Sequence, residues 1–333
     1  MIDLKRKRYV EPIAQEWLGW VRTFFTTLHT RGFLPKLDSE DRVFVTYAGK
    51  LQCQCRAEAI RYADGDNRKL RYCMLFLNRL WKDFDAIILA KPAQMDAMLR
   101  KWKRMSPWAL GLIAALSDVL TPYYDLVAKK YGNKLIDRLN IKTCPYCNRQ
   151  FIHSFKGVRT ERPELDHFLP KKEYPVFCLS FYNLIPVCHG CNHEKLEDTL
   201  RVNPYDGGFA SSFMITDKKG QKLTKSKIYH LTEKEIKLKF ENPSADEQKN
   251  INVLGLEDVY NKHTDYVKEL IDKSMAYDAY ARRALVNSFQ GAGYHPRQVY
   301  DFVWGKHLME AEYEDRPLSK LTKDILEQLD IYR

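Results

Sequence analysis

The sequence predicts an α+β fold in which helical segments flank a small cysteine-rich β unit. Apolar residues recur at helical spacing over most of the first 140 residues. The stretch 141–203 lacks that spacing and holds five of the eight cysteines, four of them in two C-x2-C pairs. From about residue 204, strand-like runs precede a mostly helical end. We therefore divide the chain into a helical domain (1–140), a compact β-containing core (141–203) and a mixed, mostly helical domain (204–333).

The elements of the first domain follow from its apolar spacing and its helix-start signals. Trp17, Val21 and Phe24 lie on one helical face. Ser106-Pro107 and Thr121-Pro122 each place a capping hydroxyl before a proline, which predicts that two further helices begin there. Between these regions, RVFVTYAGKLQCQC alternates apolar and polar residues and predicts a short hairpin.

The third domain opens with the loop-like NPYDGG. FMITD, IYHL and IKLKF then read as strands. Helical spacing returns from Leu254 to the end. Together with the first domain, these elements place most of the helical content outside 141–203.

The charge distribution indicates a polyanionic partner. The formal net charge is +11, and residues 1–110 carry 21 Lys and Arg against 12 Asp and Glu. A basic domain attracts phosphates by a salt-sensitive term that does not depend on base sequence. Helices with solvated lysine faces are the competing interpretation. Nucleic acid is the partner that we expect.

The chain shows no targeting or membrane-spanning pattern. No run of about 18 apolar residues occurs, and the amino-terminal MIDLKRKRYVEP has no apolar stretch behind its basic residues. We expect a cytoplasmic protein without a membrane partner, in which thiols stay reduced.

Two C-x2-C knuckles lie 40 residues apart in the core. Each knuckle directs two thiolates into one turn, and two knuckles complete the tetrahedral sulfur set of a structural Zn²⁺ site. Disulfides are the alternative, which a reducing compartment disfavours. The predicted zinc ligands are Cys144, Cys147, Cys188 and Cys191.

Between the knuckles, NRQFIHSF predicts a strand, KG a turn and VRTERPELDH a returning strand, followed by a loop and a short helix in CNHEKLEDT. This ββα order between two cysteine pairs resembles the HNH, or ββα-metal, endonucleases, in particular the subgroup with two zinc-binding C-x2-C pairs. Besides the four cysteines, the residues that carry the resemblance are Asp166, His167, Asn183, Asn192 and Lys195.

The resemblance assigns a role to each of these side chains. His167 is the general base, because a neutral imidazole takes a proton from water near neutral pH. Asp166 and Asn192 supply hard oxygen ligands to a catalytic Mg²⁺ or Mn²⁺. Asn183 fixes the loop and orients the histidine. Lys195, three residues beyond Asn192 on the helix, contacts the phosphate backbone.

One departure from the family leaves the metal ligand open. Many members carry His where this chain has Asn192, and here a histidine follows at His193. Asn192 is favoured because it directly follows the second knuckle. His153 and His189 are expected to be structural or surface residues.

The expected activity is metal-dependent hydrolysis of nucleic-acid phosphodiesters, with DNA favoured over RNA. The resemblance implies products that carry a 5′-phosphate and a 3′-hydroxyl. The alternative is a zinc-ribbon module that binds nucleic acid or protein without catalysis. More loosely, the helical flanks resemble effectors of bacterial anti-phage defence, including the nuclease subunit of Septu-type systems, which implies an ATPase or another defence protein as a partner.

Overall fold

The computed structural model describes residues 1–4, 9–30, 42–156 and 160–332, and within them the chain is a mostly helical α+β protein, as predicted. The strands form two-stranded antiparallel sheets. These are β1 (Phe155–Lys156) with β2 (Thr160–Glu161), β3 (Glu164–His167) with β4 (Leu184–Val187), and β5 (Ser212–Thr216) with β6 (Lys237–Glu241). The helices are α1 (Val10–Thr30), α2 (Arg42–Ala63), α3 (Asn67–Lys82), α4 (Phe84–Ile88), α5 (Pro92–Met105), α6 (Ala109–Ala115), α7 (Ser117–Leu139), α8 (His189–Lys195), α9 (Lys225–Ile228), α10 (Ala245–Val253), α11 (Leu256–Tyr260), α12 (Thr264–Ala276), α13 (Ala279–Gly291), α14 (Pro296–Trp304) and α15 (Ser319–Gln328).

The hairpin predicted from RVFVTYAGKLQCQC is wrong, because this segment forms most of α2. The helix α2 buries Leu51, Cys55, Ala59 and Ala63. These residues are four positions apart, which places them on one helical face. The alternation over the first few residues is too short to distinguish a strand from a helix once helical neighbours are available for packing.

The predicted start of a helix at Thr121-Pro122 is also displaced. The helix α7 begins at Ser117, and Pro122 is its sixth residue, where it removes the one intrahelical hydrogen bond that an amide there would donate to the Asp118 carbonyl. It ends at Asn140, whose left-handed backbone (φ 46°) terminates the helix.

Within the described residues, no single helix is long and apolar enough to cross a membrane. The helices α6 and α7, which meet at 53°, satisfy that criterion only as a bent pair.

The middle segment has a different strand pairing from the one predicted. NRQFIHSF does not form one long strand against VRTERPELDH. Among the residues of this segment that the structure describes, only the short β1 and β2 pair with each other, and Phe151 forms an isolated bridge with Thr143. The strand β3 instead pairs with β4, which follows the loop, so that His167 lies opposite Leu184. The strand β4 is buried along its whole length, so its backbone amides and carbonyls need hydrogen-bond partners inside the protein. Pairing with β3 supplies them.

In the last segment, two of the three predicted strands are present. β5 and β6 cover FMITD and IKLKF, whereas IYHL lies at the end of α9 and in the following turn. The helix α15 packs on β5, where Asp324 accepts a hydrogen bond from the Phe213 amide at 2.8 Å.

Buried apolar side chains from all three segments form one continuous cluster among the described residues. The indole of Trp17 donates to the Leu179 carbonyl at 2.8 Å, and Ser180 donates to the Ile87 carbonyl at 2.6 Å. Trp102 stacks on Phe177 at 5.8 Å between ring centroids. The helical segment thus packs against the loop 168–183. The proposed domain boundaries stay a prediction.

Candidate active site

The four knuckle cysteines come together as one buried cluster. Their sulfur atoms all lie within 4.8 Å of one another, and the sulfurs of Cys147 and Cys188 are 3.9 Å apart. A tetrahedral zinc with Zn–S bonds of about 2.3 Å separates its sulfurs by about 3.8 Å. The cluster is therefore compatible with a structural Zn²⁺, and the cysteines are not paired as disulfides.

The thiols of this cluster have divergent acidities. Burial raises the pKa of Cys144 well above its ordinary value, whereas hydrogen bonds from neighbouring thiols, Cys144 first, lower the pKa of Cys147 and Cys188. Several adjacent thiolates repel one another unless a cation lies between them. This donor set therefore fits a soft divalent metal that would hold all four sulfurs as thiolates.

The cluster joins the two ends of a compact β-β-α unit. β3 is followed by the loop 168–183, by β4 and then by α8, which begins just after Cys188. Because side chains alternate along a strand, Asp166 and His167 leave β3 in opposite directions. Each therefore has its own set of partners.

His167 is 8% exposed and its partners fix its tautomer. Its Nε2 lies 3.1 Å from the Cys178 carbonyl oxygen, which can only accept a hydrogen bond. In the neutral ring, Nε2 therefore carries the proton and Nδ1 is free to accept one. The edge of Tyr124 from α7 meets the ring at a centroid distance of 4.3 Å. Burial, with Lys171 and Lys195 nearby, lowers the pKa of His167 to about 3.

Asn183 connects both ends of the loop that carries Cys178. Its Oδ1 accepts from the Leu169 amide at 2.7 Å, and its Nδ2 donates to the carbonyls of Leu169 and Phe177 at 3.2 and 3.0 Å. A fully buried amide with three partners defines the loop conformation. Through that loop, Asn183 sets the position of the carbonyl that holds His167.

Asp166 is buried between a phenol and an ammonium. Tyr146 donates to Oδ2 at 2.6 Å, and Lys195 donates to Oδ1 at 3.1 Å and to the His167 carbonyl at 2.8 Å. The side chains of Asp166 and Lys195 are 5% and 1% exposed. Burial raises the pKa of Asp166, and the Lys195 charge and the Tyr146 hydrogen bond oppose that rise.

This position of Lys195 differs from its predicted role. Its ammonium points into the protein, and the side chain is not among those that line the adjacent cleft. Binding of Lys195 to phosphate stays a prediction, and it requires the side chain to leave the buried pair.

Asn192 lies at the Glu164 carboxylate. Its amide donates to Glu164 Oε2, and His189 Nδ1 lies 2.8 Å from Glu164 Oε1. That carboxylate raises the pKa of the exposed His189. His193 is exposed and stacks at 6.0 Å on His189, one helical turn earlier.

These side chains line a cleft of about 450 Å³. Asp166, His167 and Asn192 reach it, as does His193. The lining also includes two lysines. Lys171 lies over the Tyr124 ring, 5.0 Å from its centroid, and Lys172 forms an ion pair with Glu197. The carboxylate of Glu164 also faces the cleft.

The oxygen donors of this cleft suit a hard divalent cation. Carboxylates and a side-chain amide are the ligands that Mg²⁺ and Mn²⁺ prefer, and Asp166, Asn192 and Glu164 offer them on one surface. His193 would add an imidazole in place of, or beside, Asn192.

The sequence prediction did not include Tyr146, Glu164 and Tyr124. Tyr146 is the residue before the second cysteine of its knuckle, and Glu164 is two residues before Asp166 on the same strand face. That same-face spacing is a signal that could have identified Glu164. Tyr124 reaches the cleft from a distant helix, which spacing along the chain does not reveal.

Comparisons of the chain with protein-family models, with curated proteins and with solved structures find no match.

Proposed function

We propose that this chain is a metal-dependent endonuclease of the HNH type that hydrolyses nucleic-acid phosphodiesters, with DNA as the favoured polymer. The observation that carries the proposal is the environment of His167. A neutral imidazole is held by the Cys178 carbonyl beside a buried carboxylate, on a β-β-α unit closed by four cysteines, in a cleft with two lysines at its rim.

The proton chemistry follows from the fixed tautomer. With Nε2–H donating to Cys178, Nδ1 takes the proton from an attacking water, and the resulting imidazolium keeps its hydrogen bond. An imidazole with a pKa of about 3 is in its neutral form at neutral pH, but it is a weak base. A bound phosphodiester brings negative charge against the ring, which raises that pKa toward a more useful value.

The remaining groups bind and orient the polymer. Lys171 and Lys172 attract the phosphodiester to the cleft through charge. Asp166 and Asn192 are the proposed ligands of a Mg²⁺ or Mn²⁺ ion, which when bound would polarise the phosphate and stabilise the departing oxygen. Asn183 holds the loop so that His167 keeps its tautomer.

The deciding experiment is cleavage of supercoiled plasmid and of a labelled RNA with Mg²⁺, Mn²⁺ or EDTA. Wild type is compared with His167→Ala and with His153→Ala, an exposed histidine that does not line the cleft. We expect metal-dependent cutting of DNA that survives His153→Ala and is abolished in His167→Ala at full zinc content. Cutting that persists in His167→Ala would show that another group is the base.

The experiment also separates the other candidate functions. Zinc-dependent retention of DNA with no cleavage by any variant would favour the binding module. An effector of a defence complex would cut only after a partner ATPase and its nucleotide are added. The same pair of histidine variants then tests the base within the complex.

A further inference from the structure

The buried pair of Lys195 and Asp166 has a geometry that bears on cation binding. Lys195 reaches from the end of α8 to contact one oxygen of Asp166 and the main-chain oxygen of His167. Two oxygen ligands around one positive charge are the start of a cation site. The ammonium therefore stands at the oxygen that a metal would use.

A lysine and a divalent cation cannot share this oxygen. Both are positive, and like charges a few ångströms apart in a poorly solvated site repel each other strongly. Tyr146 occupies the other oxygen of Asp166 without charge. It can stay in place when the ligand at Oδ1 changes.

We propose that Lys195 and the divalent cation compete for Asp166, so that cation binding expels the lysine side chain toward the cleft. The inference rests on the proposed function, because it takes Asp166 as the metal ligand. Expulsion also accounts for the predicted phosphate contact. Asn192 and His193, on the same helix as Lys195, line the cleft where the polymer would lie, so an ammonium released from Asp166 would be available to a phosphate there. The exchange thus couples cation binding to the appearance of a phosphate-binding charge.

The test is Mn²⁺ binding to the zinc-loaded full chain, measured by calorimetry and by the electron paramagnetic resonance signal of free Mn²⁺. Lys195→Gln removes the charge but keeps a hydrogen-bond donor. We expect Lys195→Gln to bind Mn²⁺ roughly tenfold more tightly than wild type, or better, because the competing charge is gone. Lys218→Gln removes an exposed lysine that does not line the cleft, and as the matched control it should leave Mn²⁺ affinity unchanged.

A double variant locates the ion. Adding Asp166→Asn to Lys195→Gln should abolish the gain in affinity. Equal affinities for wild type and Lys195→Gln would overturn the proposal, and so would a gain that survives Asp166→Asn.

A second measurement uses the wild-type protein and does not depend on the folding of a variant. Reductive methylation followed by mass spectrometry should leave Lys195 unmodified without Mn²⁺, because its side chain is 1% exposed. Saturating Mn²⁺ should make Lys195 reactive, while the exposed Lys218 reacts equally in both conditions. Protection of Lys195 that persists at saturating Mn²⁺ would contradict the exchange.

Failure of this proposal and failure of the nuclease proposal give different results. Cation-dependent exposure of Lys195 in a protein that cuts neither DNA nor RNA would support the exchange and weigh against catalysis. Cleavage by a protein in which Lys195 stays protected would support the nuclease and reject the exchange.

Discussion

Tyr146 joins the cysteine cluster to the candidate catalytic carboxylate. It lies between Cys144 and Cys147, is fully buried and donates to Asp166 at 2.6 Å. Burial raises its pKa well above the ordinary value, so the phenol stays protonated and remains a donor. A knuckle that moves would therefore move the partner of Asp166. Tyr146 is a positioning residue in this arrangement.

Tyr146→Phe should lower the free energy of unfolding by about 1.5–3 kcal/mol, the range for removing a hydrogen bond to a charged group. Zinc content should stay at that of wild type, because no thiol is changed. Urea denaturation and metal analysis give both quantities. Tyr131→Phe, half-buried and away from the cleft, is the matched control. A loss of zinc in Tyr146→Phe would mean that the residue supports the knuckle itself.

The burial of His167 should make the free energy of unfolding depend on pH. In the unfolded chain its pKa is near 6.5, and in the fold it is about 3. Below pH 6.5, His167 therefore binds a proton in the unfolded state but not in the folded state. The free energy of unfolding should then fall as the pH is lowered, by up to about 1.4 kcal/mol per pH unit from this group.

His167→Gln should remove that contribution, whereas His153→Gln should retain it because His153 is exposed. The measurement is urea denaturation between about pH 5 and 6.5, a range in which protonation of the zinc thiolates is limited. Identical slopes for the two variants would show that His167 is not buried as a neutral ring.

At the scale of elements, the pairing of β3 with β4 determines the site. The register places Asp166 opposite Ile185 and His167 opposite Leu184. A slip of one residue would exchange the sides on which the two side chains lie. Asn183 and the cysteine cluster limit such a slip, because they fix the loop before β4 and the turn after it.

Cys144→Ser and Cys188→Ser should each release zinc and abolish cooperative melting of the core. Metal binding and folding are coupled in small structural sites, where the metal contributes about 10–16 kcal/mol in isolated peptides. Metal analysis and calorimetry measure the two effects.

Cys53→Ser provides the control for these variants, since Cys53 lies outside the cluster on α2. Full zinc content and unchanged melting in Cys144→Ser would refute the structural role of the cluster.

The whole molecule explains why the helical segment cannot be treated as a detachable nucleic-acid arm. Trp17 and Ile87 hydrogen-bond to the loop that orients His167, and Tyr124 forms part of the cleft wall. Removing residues 1–110 would therefore disrupt the candidate active site as well as remove the basic residues. Substitution of exposed basic residues tests the charge alone.

Replacing three exposed basic residues of α5 by glutamate should weaken binding to duplex DNA. The substitutions are Lys101→Glu, Lys103→Glu and Arg104→Glu. Each phosphate that these side chains no longer neutralise should flatten the slope of log affinity against log salt by about 0.9. Fluorescence anisotropy over a salt series provides the slope. The matched control carries Lys218→Glu and Lys219→Glu, in the turn after β5. An unchanged slope for the α5 variant would assign those charges to a solvated surface.

Features that depend on local spacing could be predicted from the amino-acid sequence. The α+β class and the short helix after the second knuckle follow from local periodicity. The four-cysteine cluster follows from the two C-x2-C pairs, because each pair is recognisable within four residues and a tetrahedral metal site needs both. The same reasoning was wrong for α2 and for the IYHL strand, where short apolar runs are ambiguous until packing partners are present.

The contacts between distant segments could not be predicted from spacing along the chain. The pairing of β3 with β4, the carbonyl on His167, the capture of Asp166 by Tyr146 and Lys195, and the Tyr124 wall all join residues far apart in the chain. Such contacts form because buried polar groups must find partners wherever the shared core brings them together. Spacing along the chain identifies the candidate side chains, but burial in three dimensions selects their partners.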